Sequence, residues 1–261
     1  MAEATRAEDP PVLLWGTAEA HVCLGQSQSA ALELVPQPGV PVVRRPLGGG
    51  VVWLDPDQCC HVLIVPLRLA PQRPSDWSAW ALQPAVATYR RYGLDVDLHD
   101  GDLWLQGRKI AGSGSATIGN CAVFASSFLL RFPRERFARC IAGSAEFQGW
   151  LVEALGQTMT DWSNHAAVPE MPALRDAYVE AAGQSFGWEL RRSACMPKES
   201  TAIANAHAEN GDDDCDVAGR ARPGGIKLNA ESWLAERVVD GRPVRELVVR
   251  GNLARRQVMT A

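Results

Sequence analysis

The chain has no apolar run of about eighteen residues, the length that a membrane-spanning helix needs. It has no cluster of Lys and Arg, and its net charge is −4, so nothing in its charge draws it toward nucleic acid. The seven cysteines are odd in number and contain no Cys-x-x-Cys spacing, which argues against both a disulfide framework and a zinc site. The five histidines (His21, His61, His99, His165 and His207) show no metal-ligand spacing either. MAEATRAEDPP at the start lacks the apolar core of a signal peptide. These absences lead to the expectation of a cytoplasmic protein with no membrane and no nucleic-acid partner.

What is present suits a large globular unit. Of the 261 residues 46% are hydrophobic and 21% charged, enough to bury one sizeable core, with room for a small appendage. Strand patterns are expected at Pro11–Trp15, His21–Leu24, Val42–Val43 and Val51–Leu54. His61–Pro66 is a nearly continuous apolar run and reads as a central strand, with His61 a core or edge histidine. Asp76–Tyr92 carries helical spacing, kinked near Pro84. Leu94–Leu98 alternates as a half-buried strand does, and Leu103–Leu105 with Arg108–Ile110 forms a hairpin around Gln106-Gly107. Cys121–Phe132 is strand-like, and helices follow at Phe147–Met159 and Leu174–Leu190. Strands interrupted by helices without a βαβ rhythm favour an α+β fold, a mixed, largely antiparallel sheet flanked by helices.

The tail changes character. Asn210–Gly225 is charged and glycine-rich and reads as an exposed loop or linker. Strands are expected at Ile226–Leu228, Trp233–Val239 and Val244–Val249, with Asp240-Gly241 a hairpin turn. The expected division is 1–209 as the catalytic domain, 210–223 as linker and 224–261 as a short C-terminal β segment.

Two motifs carry chemistry. Arg44-Arg45-Pro46-Leu47-Gly48-Gly49-Gly50 sets two guanidinium groups beside three glycines that lead into Val51, Val52 and Trp53. With every Cβ removed, the backbone can approach a ligand closely and aim N–H groups at it, and arginine pairs with phosphate in fixed forks. Gly107-Arg108-Lys109-Ile110-Ala111-Gly112-Ser113 places a lysine after a turn and follows it with small residues. Together they suggest a phosphate-bearing ligand with one lysine at the reacting centre.

In this order, each beside a strand, the pair resembles the lipoate–protein ligase branch of the superfamily that also holds octanoyltransferases and biotin–protein ligases. That branch reads roughly RRxSGGGAVFHD and GRKISGSA. The resemblance implies ATP with Mg²⁺, lipoate or octanoate as the acid, an acyl-adenylate intermediate and a lipoyl-carrier protein as acceptor. It also implies that Lys109 is catalytic and that Arg44, Arg45, Gly48, Gly49, Gly50, Val51, Val52, Trp53, Asp102, Ala111, Gly112 and Ser113 bind the adenylate. Strand alternation lets only some of those side chains face a ligand. GGIKLNAESWL…VRGNL resembles the opening of the accessory domain that follows the catalytic domain in these ligases. A separate accessory subunit is left open.

The chain departs from the family pattern in several places. Leu54-Asp55 stands where the ligases show His-Asp, and Gly101-Asp102 stands for their Asn-Asp. Phe124-Ala125-Ser126-Ser127 replaces a histidine-rich stretch, and ten residues precede Pro11 where a helix is expected. Two rival readings remain open: acyl transfer through a cysteine thioester, with Cys121 or Cys140 as nucleophile, and a binding-only partner subunit.

Overall fold

The apolar run through His61–Pro66 lies at the middle of the main sheet, hydrogen-bonded on both sides. The computed structural model describes residues 1–211 and 225–258. Strands β1 (Val12–Gly16) and β2 (His21–Leu24) come first, then a one-turn helix α1 (Ala30–Glu33). β3 (Val42–Arg44) and β4 (Val52–Leu54) flank the glycine motif, and β5 (Gln58–Pro66) follows. Helices α2 (Trp77–Ala81) and α3 (Gln83–Arg91) come next, their break falling at Leu82, beside Pro84 as expected. Then come β6 (Asp97–His99), β7 (Asp102–Leu105), β8 (Arg108–Ala111), β9 (Ser113–Ile118) and β10 (Cys121–Leu129). Helices α4 (Arg134–Cys140), α5 (Ala145–Thr158), α6 (Met171–Phe186) and α7 (Pro197–Gly211) are followed by β11 (Ile226–Lys227), β12 (Ser232–Val239), β13 (Arg242–Val249) and β14 (Asn252–Val258).

The main sheet has the order β1-β5-β10-β9 and is antiparallel throughout. Two small sheets, β3-β2-β4 and β6-β7-β8, carry the two motifs. The β2–β3 pairing is parallel, so the fold is the mixed, largely antiparallel α+β arrangement expected. Register sorts the main sheet into two faces. Trp15, His61, Ser126 and Ser113 lie in one cross-strand row, and Leu14, Val62, Ala125 and Gly114 in the next. The first row belongs to the face that α3 and α6 cover, through Leu82, Val86, Tyr89, Leu174 and Tyr178. The second row faces the other way, toward Leu47 of the glycine motif and Ala2 of the N-terminal turn. His61 is a core histidine, as expected. Its Nδ1 lies 2.8 Å from the Tyr178 hydroxyl, and burial pushes its pKa down to about 3, which keeps the ring neutral.

Several elements differ from the sequence reading, with α1, α4, α7 and β14 not expected there. The strand expected at Leu94–Leu98 is confined to Asp97–His99, because Leu94 and Val96 are core side chains on the approach to it. β9 is a strand despite its small polar residues, because β10 offers it a full ladder from Ser126 to Cys121. The exposed loop expected at Asn210–Gly225 begins inside α7, which runs to Gly211, and its positions 212–224 lie outside the described residues.

The C-terminal strands form a four-stranded meander, β11-β12-β13-β14, with Asp240-Gly241 and Arg250-Gly251 in the left-handed region at its two hairpin turns. Its inward residues Ile226, Leu228, Leu234 and Leu247 share one apolar cluster with Val22, Leu24, Trp53 and Leu151. Burial against the rest of the chain therefore holds this sheet in place.

Candidate functional site

The glycine turn is built from behind by its two arginines. Arg44 Nη1 donates to the carbonyls of Gly25 (3.1 Å) and Gln28 (2.6 Å). Arg45 Nη1 donates to Cys23 O (3.0 Å), and its Nη2 donates to Gly48 O (2.9 Å) and Gly50 O (2.7 Å). Arg45 thus ties the end of β2 to the glycine turn, while Arg44 clamps the loop that follows β2. Gly49 has φ +98°, a conformation that favours glycine, and a Cβ on Gly25 would sit 2.2 Å from the Gly49 carbonyl oxygen. Gly48 meets nothing within 4 Å, so the outer side of the turn is open.

Past the turn, alternation separates the predicted residues. Val51 packs on the apolar cluster and Val52 is exposed. The Trp53 side chain points into the core, 3% exposed, with its Nε1 donating to Asp55 Oδ2 (2.7 Å). A ligand at the turn could meet Trp53 through its backbone alone. Asp55 also accepts from the Asp57 N–H, so it acts as a turn aspartate.

The second motif gathers around Lys109 on β8. Its Nζ lies 2.9 Å from Asp102 Oδ1, and both side chains are largely buried, at 18% and 9% exposure. The other carboxylate oxygen, Asp102 Oδ2, accepts from the Ala230 backbone N–H at 3.0 Å. Strand β8 is fixed in turn by the segment that follows α5, where the Thr160 N–H donates to Lys109 O (2.8 Å). Gly112 makes room for the ammonium group, since a Cβ there would lie 2.7 Å from Lys109 Nζ. Ser113 Oγ donates to Gly101 O, Ser126 Oγ donates to Gly112 O (2.7 Å each), and Ala111 is buried. The small residues after the lysine therefore form a fixed wall.

The two motifs meet at two places. Gly114 lies under Leu47, where an added Cβ would be 3.5 Å from the leucine and 3.8 Å from Gly48 O. On the other side, the segment from Ile226 to Ala230 passes Gly50 at one end and binds Asp102 at the other. Nothing in the sequence pattern pointed to this C-terminal contact, because an N–H donor leaves no side-chain signature.

Cys23 also escaped notice. Burial raises its thiol pKa, but His21 and Arg45 beside the sulfur outweigh that and leave it below the usual thiol value. Arg45 Nη1 is 3.7 Å from its Sγ. Cys121 and Cys140, the two cysteines considered from sequence, are buried with raised pKa values, and burial is the main cause in each. The Cys140 thiol, at the end of α4, donates to Arg136 O (3.3 Å).

Asp102→Asn tests the pair directly. It leaves the Lys109 cation half-enclosed without a carboxylate, and the expected loss is about 3 kcal/mol, the low end for a broken buried pair. A thermal melt should show Tm falling by roughly 6–12 °C for a chain of this size. An unchanged Tm would mean that the pair is solvated.

The chain belongs to the lipoyl protein ligase A/B catalytic-domain family, whose model matches residues 1–182. Its fold is that of solved lipoate ligases. The bipartite lipoate protein ligase of Thermoplasma acidophilum, studied with its E2 lipoyl domain, superposes with a TM-score of 0.71 at 16% identity, over 77% of this chain and 81% of that one. A lipoate–protein ligase A bound with ATP gives 0.66 at 16% identity, over 79% and 84%. P. falciparum LipL1 in complex with lipoate gives 0.61 at 12%, over 95% and 71%. Among curated proteins, none matches the chain.

Proposed function

We propose that the protein activates lipoate or octanoate with ATP and joins the acyl group to a lysine of a lipoyl-carrier domain. The Lys109–Asp102 pair carries this reading, because it holds a fixed cation against the bare wall at Gly112, on the same strand-end run whose Gly114 packs under Leu47 of the glycine motif. In the first step a carboxylate oxygen of the acid bonds to the α-phosphorus of ATP. The bond from that phosphorus to the bridging oxygen breaks, and pyrophosphate leaves. In the second step the acceptor amine bonds to the acyl carbon, loses a proton, and AMP leaves with the oxygen. Both steps develop negative charge on oxygen, and an ammonium group already in place stabilises it with no reorganisation.

Mg²⁺ would enter with the nucleotide. Both Asp102 oxygens are already engaged, by Lys109 and by the Ala230 N–H, so this reading assigns the ion no protein ligand. The acceptor domain and its lysine would approach along the open side of the turn. The division into a catalytic part ending near 209 and a C-terminal β unit belongs to the same proposal, and so does a cytoplasmic location.

The test is a mass-resolved assay with a lipoyl-acceptor domain, given lipoate or octanoate, with and without ATP–Mg²⁺. The expected result is a mass gain on the acceptor in the ATP lanes only. Modification from an octanoyl carrier protein without ATP would replace the ligase reading with a transferase. For that second reading the structure offers Cys23, whose thiol is lowered but only 4% exposed. Cys23→Ser should leave the ATP-dependent reaction in place and abolish a thioester route.

A further inference from the structure

We propose that Lys227, presented by the C-terminal sheet, is a second phosphate-binding cation of the site and takes the β- and γ-phosphates that leave as pyrophosphate. This rests on the reading that the glycine turn receives a nucleotide.

Arg44 and Arg45 direct their forks at backbone carbonyls of β2 and the turn, and Lys109 is held on Asp102. A triphosphate at the turn brings more negative charge than Lys109 alone balances. Lys227 stands at the right place to meet it. Its Cβ is 3.8 Å, and its carbonyl oxygen 3.9 Å, from where a Cβ of Gly50 would be, so β11 lies directly against the last glycine. Lys109 serves the opposite end of the same frame, and Ala230, three residues beyond Lys227, is bonded to Asp102. The segment from Lys227 to Ala230 therefore runs from the last glycine of the turn to the carboxylate that holds Lys109.

The side chain of Lys227 is exposed, and among the described residues no carboxylate pairs with it. Its Nζ rests 5.6 Å from the centre of the Trp233 ring, its cross-strand partner. A cation–π contact at an exposed site is weak, so the ammonium can leave the ring for a phosphate at small cost. Lysine suits this task, being a compact charge on a flexible stem that can follow a leaving group.

Calorimetric titration of the full chain with ATP–Mg²⁺, and separately with a non-hydrolysable octanoyl-sulfamoyl adenosine, decides the matter. Lys227→Met should weaken ATP binding about tenfold, the worth of one charge-assisted hydrogen bond. Binding of the adenylate analogue, which has no β- or γ-phosphate, should stay within about twofold, and Lys227→Arg should recover most of the ATP affinity. Equal ATP affinity for Lys227→Met and the unaltered protein would overturn the proposal. So would equal losses for both ligands, which would put Lys227 on the α-phosphate position or in the fold. If the unaltered protein binds the analogue but Lys227→Met changes nothing, only this proposal falls. If it binds neither ligand, the nucleotide reading of the site falls as well.

Discussion

Replacing Lys109 with alanine should lower the rate of acceptor modification by about 10²–10³-fold, the cost of removing one preorganised stabiliser of oxyanion charge. The fold should survive, at a stability cost like that of Asp102→Asn, since either change breaks the same buried pair. The lysine contributes a charge at the head of a strand whose backbone bonds, such as that from the Thr160 N–H, stay in place. Asp102 loses its cation but keeps the Ala230 N–H, so its carboxylate still has one donor. Lys109→Arg should rescue poorly. The ammonium sits 2.7 Å from where a Cβ of Gly112 would be, and a planar guanidinium is wider than the space that glycine leaves. Single-turnover transfer from preformed octanoyl-adenylate, followed alongside a circular-dichroism melt, separates chemistry from folding. A Lys109→Ala protein that keeps full transfer would remove this residue from the reaction, and with it the role given to Asp102.

Much of this site could be read in the sequence, for definite reasons. Glycine triplets and the Gln106-Gly107 turn are local signals, and both turns form where the pattern placed them, Gln106 and Gly107 with positive φ. Asp102 was singled out through the resemblance alone, as the counterpart of the ligases' Asn-Asp; the hairpin register sets Trp104 opposite Lys109, and the 2.9 Å contact with Asp102 comes from the structure. The orientation of Arg44 and Arg45 was not legible. A guanidinium next to glycines reads equally as a phosphate fork or as a clamp on carbonyls, and only the position of β2 makes it the latter. β9 was hidden for a related reason, since Ser113–Ile118 has little strand propensity and becomes a strand through its neighbour. The largest omission was the C-terminal sheet. Three of its strands were legible from alternation and from Asp240-Gly241, but β14 was missed, and the sheet's seat on the Val22 and Leu151 cluster is set by long-range burial, which no local pattern encodes. The elements were thus written locally and the contacts that complete the site were not.

Gly25→Ala should be nearly as damaging as the loss of Lys109, although Gly25 is outside both motifs. Its backbone runs so close to the glycine turn that an alanine Cβ would lie 2.2 Å from Gly49 O and 3.2 Å from the carbonyl carbon. Neither atom belongs to a flexible side chain, so one of the two backbones must move. The turn is the part that yields, because Gly25 O is held by Arg44 and the Gly25 N–H by Gln28 Oε1 at 2.9 Å. A turn pushed outward by about 1 Å misplaces every N–H it presents, and displacement on that scale costs on the order of 10²-fold in rate. The same shift carries Gly48 O and Gly50 O away from Arg45, so Tm should fall too, by roughly 2–4 °C for each kcal/mol lost. Gly48→Ala is the matched control. A Cβ there meets nothing within 4 Å, so it should change Tm little. Equilibrium binding of the octanoyl-sulfamoyl adenosine to both variants tests the argument: Gly25→Ala should lose most of its affinity. If Gly25→Ala binds and turns over like the unaltered protein, the turn is pliable, and the site does not depend on a preorganised glycine backbone.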